Sequence, residues 1–134
     1  MSFKVYLHKL AAPDELLGRV EEDGKVYETR FGPDEYVGRV DTSNGKIYIS
    51  RPGPDKHLGK VELETGKVFT ARFGPDEYVG RVQADGGLYV HKPIAPDPYV
   101  GRVADMPSYA HGGAAFLLLV LPEMQKPDEA EAAG

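Results

Sequence analysis

Cysteine is absent from all 134 residues. That excludes a disulfide, a thiolate metal site and a thiol nucleophile. Tryptophan is absent too, Asn occurs once and Gln twice, while Pro is frequent, a balance compatible with a thermophilic source. Positive charge is not in excess. The formal net charge is -5 and the pI about 5.3, which argues against nucleic acid as a partner. No long hydrophobic run exists. The longest, Ala114 to Leu121, is far short of the roughly 20 residues that span a bilayer. Met1-Ser2-Phe3-Lys4-Val5 enters a strand pattern directly and does not read as a signal peptide, so a cytoplasmic location is expected. Enzyme signatures are missing as well: no Gly-rich phosphate loop, no His-Glu-x-x-His and no nucleophile elbow.

What is present is repetition. Pro-Asp recurs at Pro13, Pro33, Pro54, Pro75 and Pro96, and Gly-(Arg/Lys)-Val at Gly18, Gly38, Gly59, Gly80 and Gly101. Both series step by 20, 21, 21 and 21 residues. An aliphatic–aromatic pair recurs with them: Val5-Tyr6, Val26-Tyr27, Ile47-Tyr48, Val68-Phe69 and Leu88-Tyr89, with Ser108-Tyr109 as a degenerate sixth copy. A fixed period of this length marks a repeat architecture whose units bury their apolar faces only against neighbours.

One unit reads as a hairpin. Tyr36 to Val40 and Lys46 to Ser50 are β-branched and aromatic, and Asn44-Gly45 between them supplies the positive-φ residues of a tight turn. Gly-Pro-Asp or Ala-Pro-Asp turns lead to the next unit. Glycine inside a strand weakens it unless something approaches closely, and a facing Tyr or Phe ring is one candidate for that approach. The other reading of the aromatic series is ordinary half-buried core.

Five hairpins are expected, at roughly 17–30, 36–51, 57–72, 78–92 and 98–111. An orphan strand is left at each end. Pairing of residues 3–9 with the run ending at Leu121 gives a sixth hairpin and closes a ring, which removes exposed sheet edges. The competing expectation is that Ala114–Leu121 forms a short helix plugging that ring, since Ala and Leu favour helix. The fold class is therefore all-β: a propeller- or flower-like ring of about six short hairpins with a ~21-residue period. One domain covers residues 1–121, and residues 122–134, rich in Glu, Ala and Pro, form a disordered acidic tail.

The motifs Gly38-Arg39-Val40, Gly45-Lys46-Ile47-Tyr48 and Tyr109 through Leu119 resemble those of bacterial β-flower repeat proteins, in which short hairpins surround a pseudo-symmetry axis. MORN repeats are a weaker match. The resemblance covers residues 3 to about 121 and implies a fold, not an activity.

Three sets of side chains invite chemistry. His8, His91 and His111 each follow the aromatic landmark by two residues, where the other units have Thr29, Ser50 and Ala71. If they converge, three imidazoles can hold a metal ion or titrate together. Otherwise the position simply tolerates Thr, Ser, Ala and His. His57 stands outside this pattern and is expected to be solvated. Arg19, Arg39, Lys60, Arg81 and Arg102 repeat once per unit, as do Asp14, Asp34, Asp55, Asp76 and Asp97. Salt bridges between neighbouring units, or turn-capping by the Asp side chains, are the expected use. Lys9, Arg30, Arg51, Arg72 and Lys92 form a third series of the same kind. The function expected is a non-catalytic binding or scaffolding module for an unknown protein partner, with no cofactor and no membrane span. Self-association through the apolar run is a second expectation if its own chain leaves that run uncovered. The alternative is a metal, ligand or pH sensor built on His8, His91 and His111.

Overall fold

Every turn signal in the repeat ends a strand. Ten strands result: β1 (Ser2–Leu7), β2 (Glu15–Glu21), β3 (Lys25–Glu28), β4 (Glu35–Val40), β5 (Lys46–Ile49), β6 (Lys56–Val61), β7 (Lys67–Thr70), β8 (Glu77–Val82), β9 (Gly87–Val90) and β10 (Tyr99–Val103). In the computed structural model, which describes residues 1–126, they form one closed antiparallel barrel in chain order. At the β4–β5 turn Gly45 takes φ 79°, and the Asn44 side chain accepts from the Lys46 N–H at 2.9 Å. A β-branched residue is disfavoured there.

The ring closes through the N-terminal strand, on a different partner from the one expected. β1 pairs with β10, matching Val5 to Val103, Tyr6 to Arg102 and Leu7 to Gly101. Inside a continuous unit β2 and β3 show the same register, Val26 to Val20, Tyr27 to Arg19 and Glu28 to Gly18. The two halves of the fifth unit thus come from opposite ends of the sheet. The barrel has five units rather than six, and the hairpin expected at 98–111 does not form. Its second half, Ser108–His111, is a helix start instead: Ser108 is the N-cap and its hydroxyl accepts from the His111 N–H.

The run expected to close the ring fills it. Helix α1 (Tyr109–Ala115), a π-helical segment (Phe116–Val120) and helix α2 (Leu121–Gln125) follow one another through the barrel. The Leu121 N–H reaches back to the Phe116 carbonyl, the i→i+5 bond of a π-turn. Pro122 does not end the helix; it falls in the first turn of α2. Of the tail expected over 122–134, residues 122–125 are helical in α2, and 127–134 lie outside the described residues. From Ala114 to Val120 every residue is buried by its own chain.

Alternation along the strands sets the core. The Val of each Gly-(Arg/Lys)-Val and the aliphatic residue before each aromatic point inward, as with Val20, Val26, Val40, Ile47, Val61 and Val68, all nearly inaccessible. Burying such side chains stabilises by about 1.5–3 kcal/mol each, an upper estimate. The aromatic residue is the next along the strand, so it faces out. Each Pro-Asp hairpin also carries a bulge. Val26 pairs with Gly38 but Tyr27 pairs with Tyr36, which skips Val37, and Leu17, Leu58, Val79 and Val100 are skipped in the same way. The extra residue turns Val37 onto the core and Tyr36 outward.

Strand glycines meet the backbone carbonyl of the facing aromatic residue, 2.1–2.4 Å from an added Cβ, and in four units the plug as well; no aromatic ring of the wall covers them. A Cβ added at Gly18 would lie 3.1 Å from Leu119, at Gly38 3.0 Å from Leu118, at Gly59 2.8 Å from Leu117, and at Gly80 2.6 Å from the Phe116 ring. Four consecutive plug residues thus address four consecutive units. An α-helix turns about 100° per residue, whereas five units stand ~72° apart. The wider π-turn lowers the rotation per residue toward that spacing, which accounts for its position at Phe116–Val120.

Candidate functional site

The two ends of the barrel differ because the two kinds of turn do. The Gly turns between the strands of one unit lie at one end, together with the entry of α1. The Pro-Asp loops lie at the other end, around α2. There each loop lifts one residue clear of the wall. Leu10, Phe31, Phe73 and Ile94 occupy four of the five loops, with exposures from 88 % upward, and Pro52 occupies the remaining one. Nothing comes within 4 Å of an ideal Cβ at Gly32, Gly53 or Gly74, so these loops stand free of their neighbours. Large apolar side chains exposed together at one end are not explained by folding.

The third basic series sits at the feet of these loops. Lys9 bonds Glu15 at 3.1 Å, Arg72 bonds Glu77 at 3.3 Å, and Arg30 bonds Glu35. The third unit departs from this rule. Lys56 stands where three other units carry Glu15, Glu35 and Glu77, so Arg51 lacks the glutamate that Lys9, Arg30 and Arg72 bond. Between the loops α2 leaves open apolar grooves. One is lined by Leu7, Leu10, Val100 and Met124 with His8 and Tyr99 at its mouth, another by Ile49, Leu58, Leu117, Leu121 and Pro122.

Lower on the outer wall runs a belt repeated five times. Arg19, Arg39, Arg81 and Arg102 lie over Tyr27, Tyr48, Tyr89 and Tyr6 at 4.1–4.3 Å, and Lys60 over Phe69 at 5.4 Å. Each cation also bonds the Asp of an adjoining Pro-Asp loop: Arg39 to Asp55 at 3.3 Å, Lys60 to Asp76 at 3.9 Å, Arg81 to Asp97 at 3.6 Å, Arg102 to Asp14 at 3.3 Å, and Arg19 to Asp34. The expected salt bridges between neighbouring units are therefore present. The Arg102–Asp14 link joins the fifth and first units across the closure.

The three sequence-matched histidines do not share a site. His8 Nδ1 lies 3.4 Å from Asp14, with its ring on Tyr99. His91 Nδ1 lies 3.4 Å from Asp97, with its ring on Tyr78. Both are at the Pro-Asp end. His111 is buried at the opposite end, between the Ser108 hydroxyl at 2.7 Å and the Glu22 carbonyl at 2.8 Å. The common spacing misleads because His111 belongs to a helix, where i and i+2 do not share a face. Among the described residues no group of three His, Asp or Glu is placed to hold a metal ion. His57 is exposed, as expected, but keeps the pattern in another way: it pairs with Tyr48 where three other strand pairs match two aromatics, the rings 5.5 Å apart.

Charge on this end is tuned by the same contacts. Desolvation pushes the Asp14 carboxyl up, but hydrogen bonds to Arg102 and His8 outweigh it and hold the group below its ordinary value. The Lys92 N–H holds Asp97 down, helped by the charges of His91 and Arg81 against some desolvation. Partial burial raises the phenols of Tyr36, Tyr78 and Tyr99.

Sequence reasoning did not single out the loop apices. The available signal was an apolar residue, Phe31 or Phe73, beside Gly-Pro in a turn that gives it nothing to pack on. No helix among the described residues is long and apolar enough to cross a membrane. Comparison with family models, curated proteins and solved structures finds no match to this chain.

Proposed function

We propose that this protein is a non-catalytic binding module that presents the crown of five Pro-Asp loops to a partner. The exposure of Leu10, Phe31, Phe73 and Ile94 at one end carries the reading, because these side chains contribute nothing to the packed interior. The barrel is suited to display. Its wall repeats five times, its axis is filled by Phe116–Val120, and the Arg–Asp belt ties each loop to an adjoining unit. The motif likeness to β-flower proteins supports a hairpin ring of this kind and adds no activity.

The test compares the intact chain with a Phe31→Ser/Phe73→Ser/Ile94→Ser variant. Both should melt alike, since the replaced groups are solvated. Only the intact chain should retain a cell component, and the protected amides should fall at the loops. Equal retention by both, or protection confined to the opposite end, contradicts the reading.

A further inference from the structure

This inference rests on the crown as the binding surface and names what it binds. The loops stand apart from one another, so a protein partner would need a separate pocket for each apex. The headgroup region of a bilayer needs none: it accepts isolated apolar side chains at any lateral spacing. A cation stands beside every apex, Lys9, Arg30, Arg51, Arg72 and Lys92 in turn. At the third loop Arg51 and Lys56 have no carboxylate partner among the described residues, and the Lys56 ammonium replaces the Glu found there in three other units. The opposite end is acid-rich, with Glu21, Glu22, Asp23, Glu62, Glu64 and Asp85 in or beside its turns. The crown loops also carry Asp14, Glu15, Asp34, Glu35, Asp55, Asp76, Glu77 and Asp97, so an anionic surface is drawn locally, to Arg51 and Lys56 of the third loop, rather than to the crown as a whole.

We propose that the crown seats the protein on an anionic lipid surface as a peripheral, non-spanning contact. Phe31, Phe73, Ile94 and Leu10 enter the boundary between headgroups and acyl chains. Arg51 and Lys56 take lipid phosphate first. Arg30, Arg72 and Lys9 exchange their glutamate partners for it as the loops approach. The groove between Leu7, Leu10, Val100 and Met124 opens to the same side and receives an acyl segment.

Cosedimentation of the full chain with vesicles tests this. One set contains phosphatidylcholine alone, the other phosphatidylcholine mixed with phosphatidylglycerol. The chain should partition onto the mixed vesicles, about tenfold or more above the neutral ones, and leave them as salt is raised. Phe31→Ser/Phe73→Ser should lower partitioning about tenfold or more with an unchanged circular dichroism spectrum. Arg51→Gln/Lys56→Gln should lower it severalfold and flatten the salt dependence. Absence of binding to mixed vesicles, or binding that survives the serine substitutions, overturns the lipid assignment. If vesicles fail but a photocrosslinker at residue 73 captures one discrete protein, the lipid assignment falls and the crown remains a binding surface. If vesicles fail and the crosslinker also captures nothing, the binding-module reading falls with it.

Discussion

The plug meets the barrel wall in two layers that solve the same problem in opposite ways. Near the entry of α1 the wall is bulky, ringed by valines, and the plug is small. A Cβ at Gly113 would lie 2.6 Å from Val61 Cγ1, and one at Gly112 2.5 Å from Val82 Cγ1. One helical turn further along, the wall is the glycine of four of the five Gly-(Arg/Lys)-Val motifs, Gly18, Gly38, Gly59 and Gly80, and the plug is Phe116, Leu117, Leu118 and Leu119. Large faces small in both layers, with the roles exchanged. Interiors packed to crystal-like density require such complementarity. The lesson is that the strand glycines and the Gly112-Gly113 pair are two halves of one steric arrangement, although they lie far apart in the chain.

Exchanging sizes in one layer alone should break the fold most severely. Gly113→Val has no room beside Val61 and should cost about 3 kcal/mol or more, read as a fallen denaturation midpoint or as failure to fold. Phe116→Ala removes the ring from Gly80 and should cost about 3–5 kcal/mol. Gly80→Ala should cost less in that background than in the parent, because the clash with the ring is gone and only the one with the Tyr89 carbonyl, 2.3 Å from the added Cβ, remains. A double-mutant cycle with no coupling between positions 80 and 116 would break the account of the upper layer.

The outer belt should matter less than either layer. Arg39→Ala breaks a solvated pair with Asp55 and a contact with Tyr48, and should cost about 1 kcal/mol or less. The belt also sets an acid dependence. The folded-state values of Asp14 and Asp97 lie below the ordinary 3.8, so their stabilisation is complete above that value and is lost as pH falls through the folded values. Asp14→Asn/Asp97→Asn should therefore show a flatter stability profile at acid pH than the parent, measured by urea melts across the range.

Much of the wall was legible in the chain. Proline-Asp and glycine turns repeat with the strands between them, and the need to hide sheet edges pointed to a ring closed by the N-terminal strand. The partner of that strand was not legible, because Ser108-Tyr109 imitates the aromatic landmark while Ser108 serves as a helix cap. The facing of the aromatics was obscured by the bulges at Val37 and its counterparts, which turn a neighbouring side chain outward without altering the pattern of letters. Of the candidate sites, the Arg–Asp links were one of two uses the period allowed, and Asp97 also serves the other, accepting from the Lys92 N–H of its own loop. The separation of His111 from His8 and His91 did not, since it depends on one segment being helix. The apices were visible as letters but needed the loop geometry to show that nothing covers them.

The central claim is that successive plug residues address successive strand glycines in reverse chain order. Nuclear Overhauser contacts in the methyl-labelled protein test it directly. The account predicts contacts from Leu119, Leu118 and Leu117 methyls to the Hα protons of Gly18, Gly38 and Gly59 respectively, and from the Phe116 ring to Gly80. Contacts from those glycines to Tyr or Phe rings of neighbouring strands, with none to residues 116–119, would contradict it.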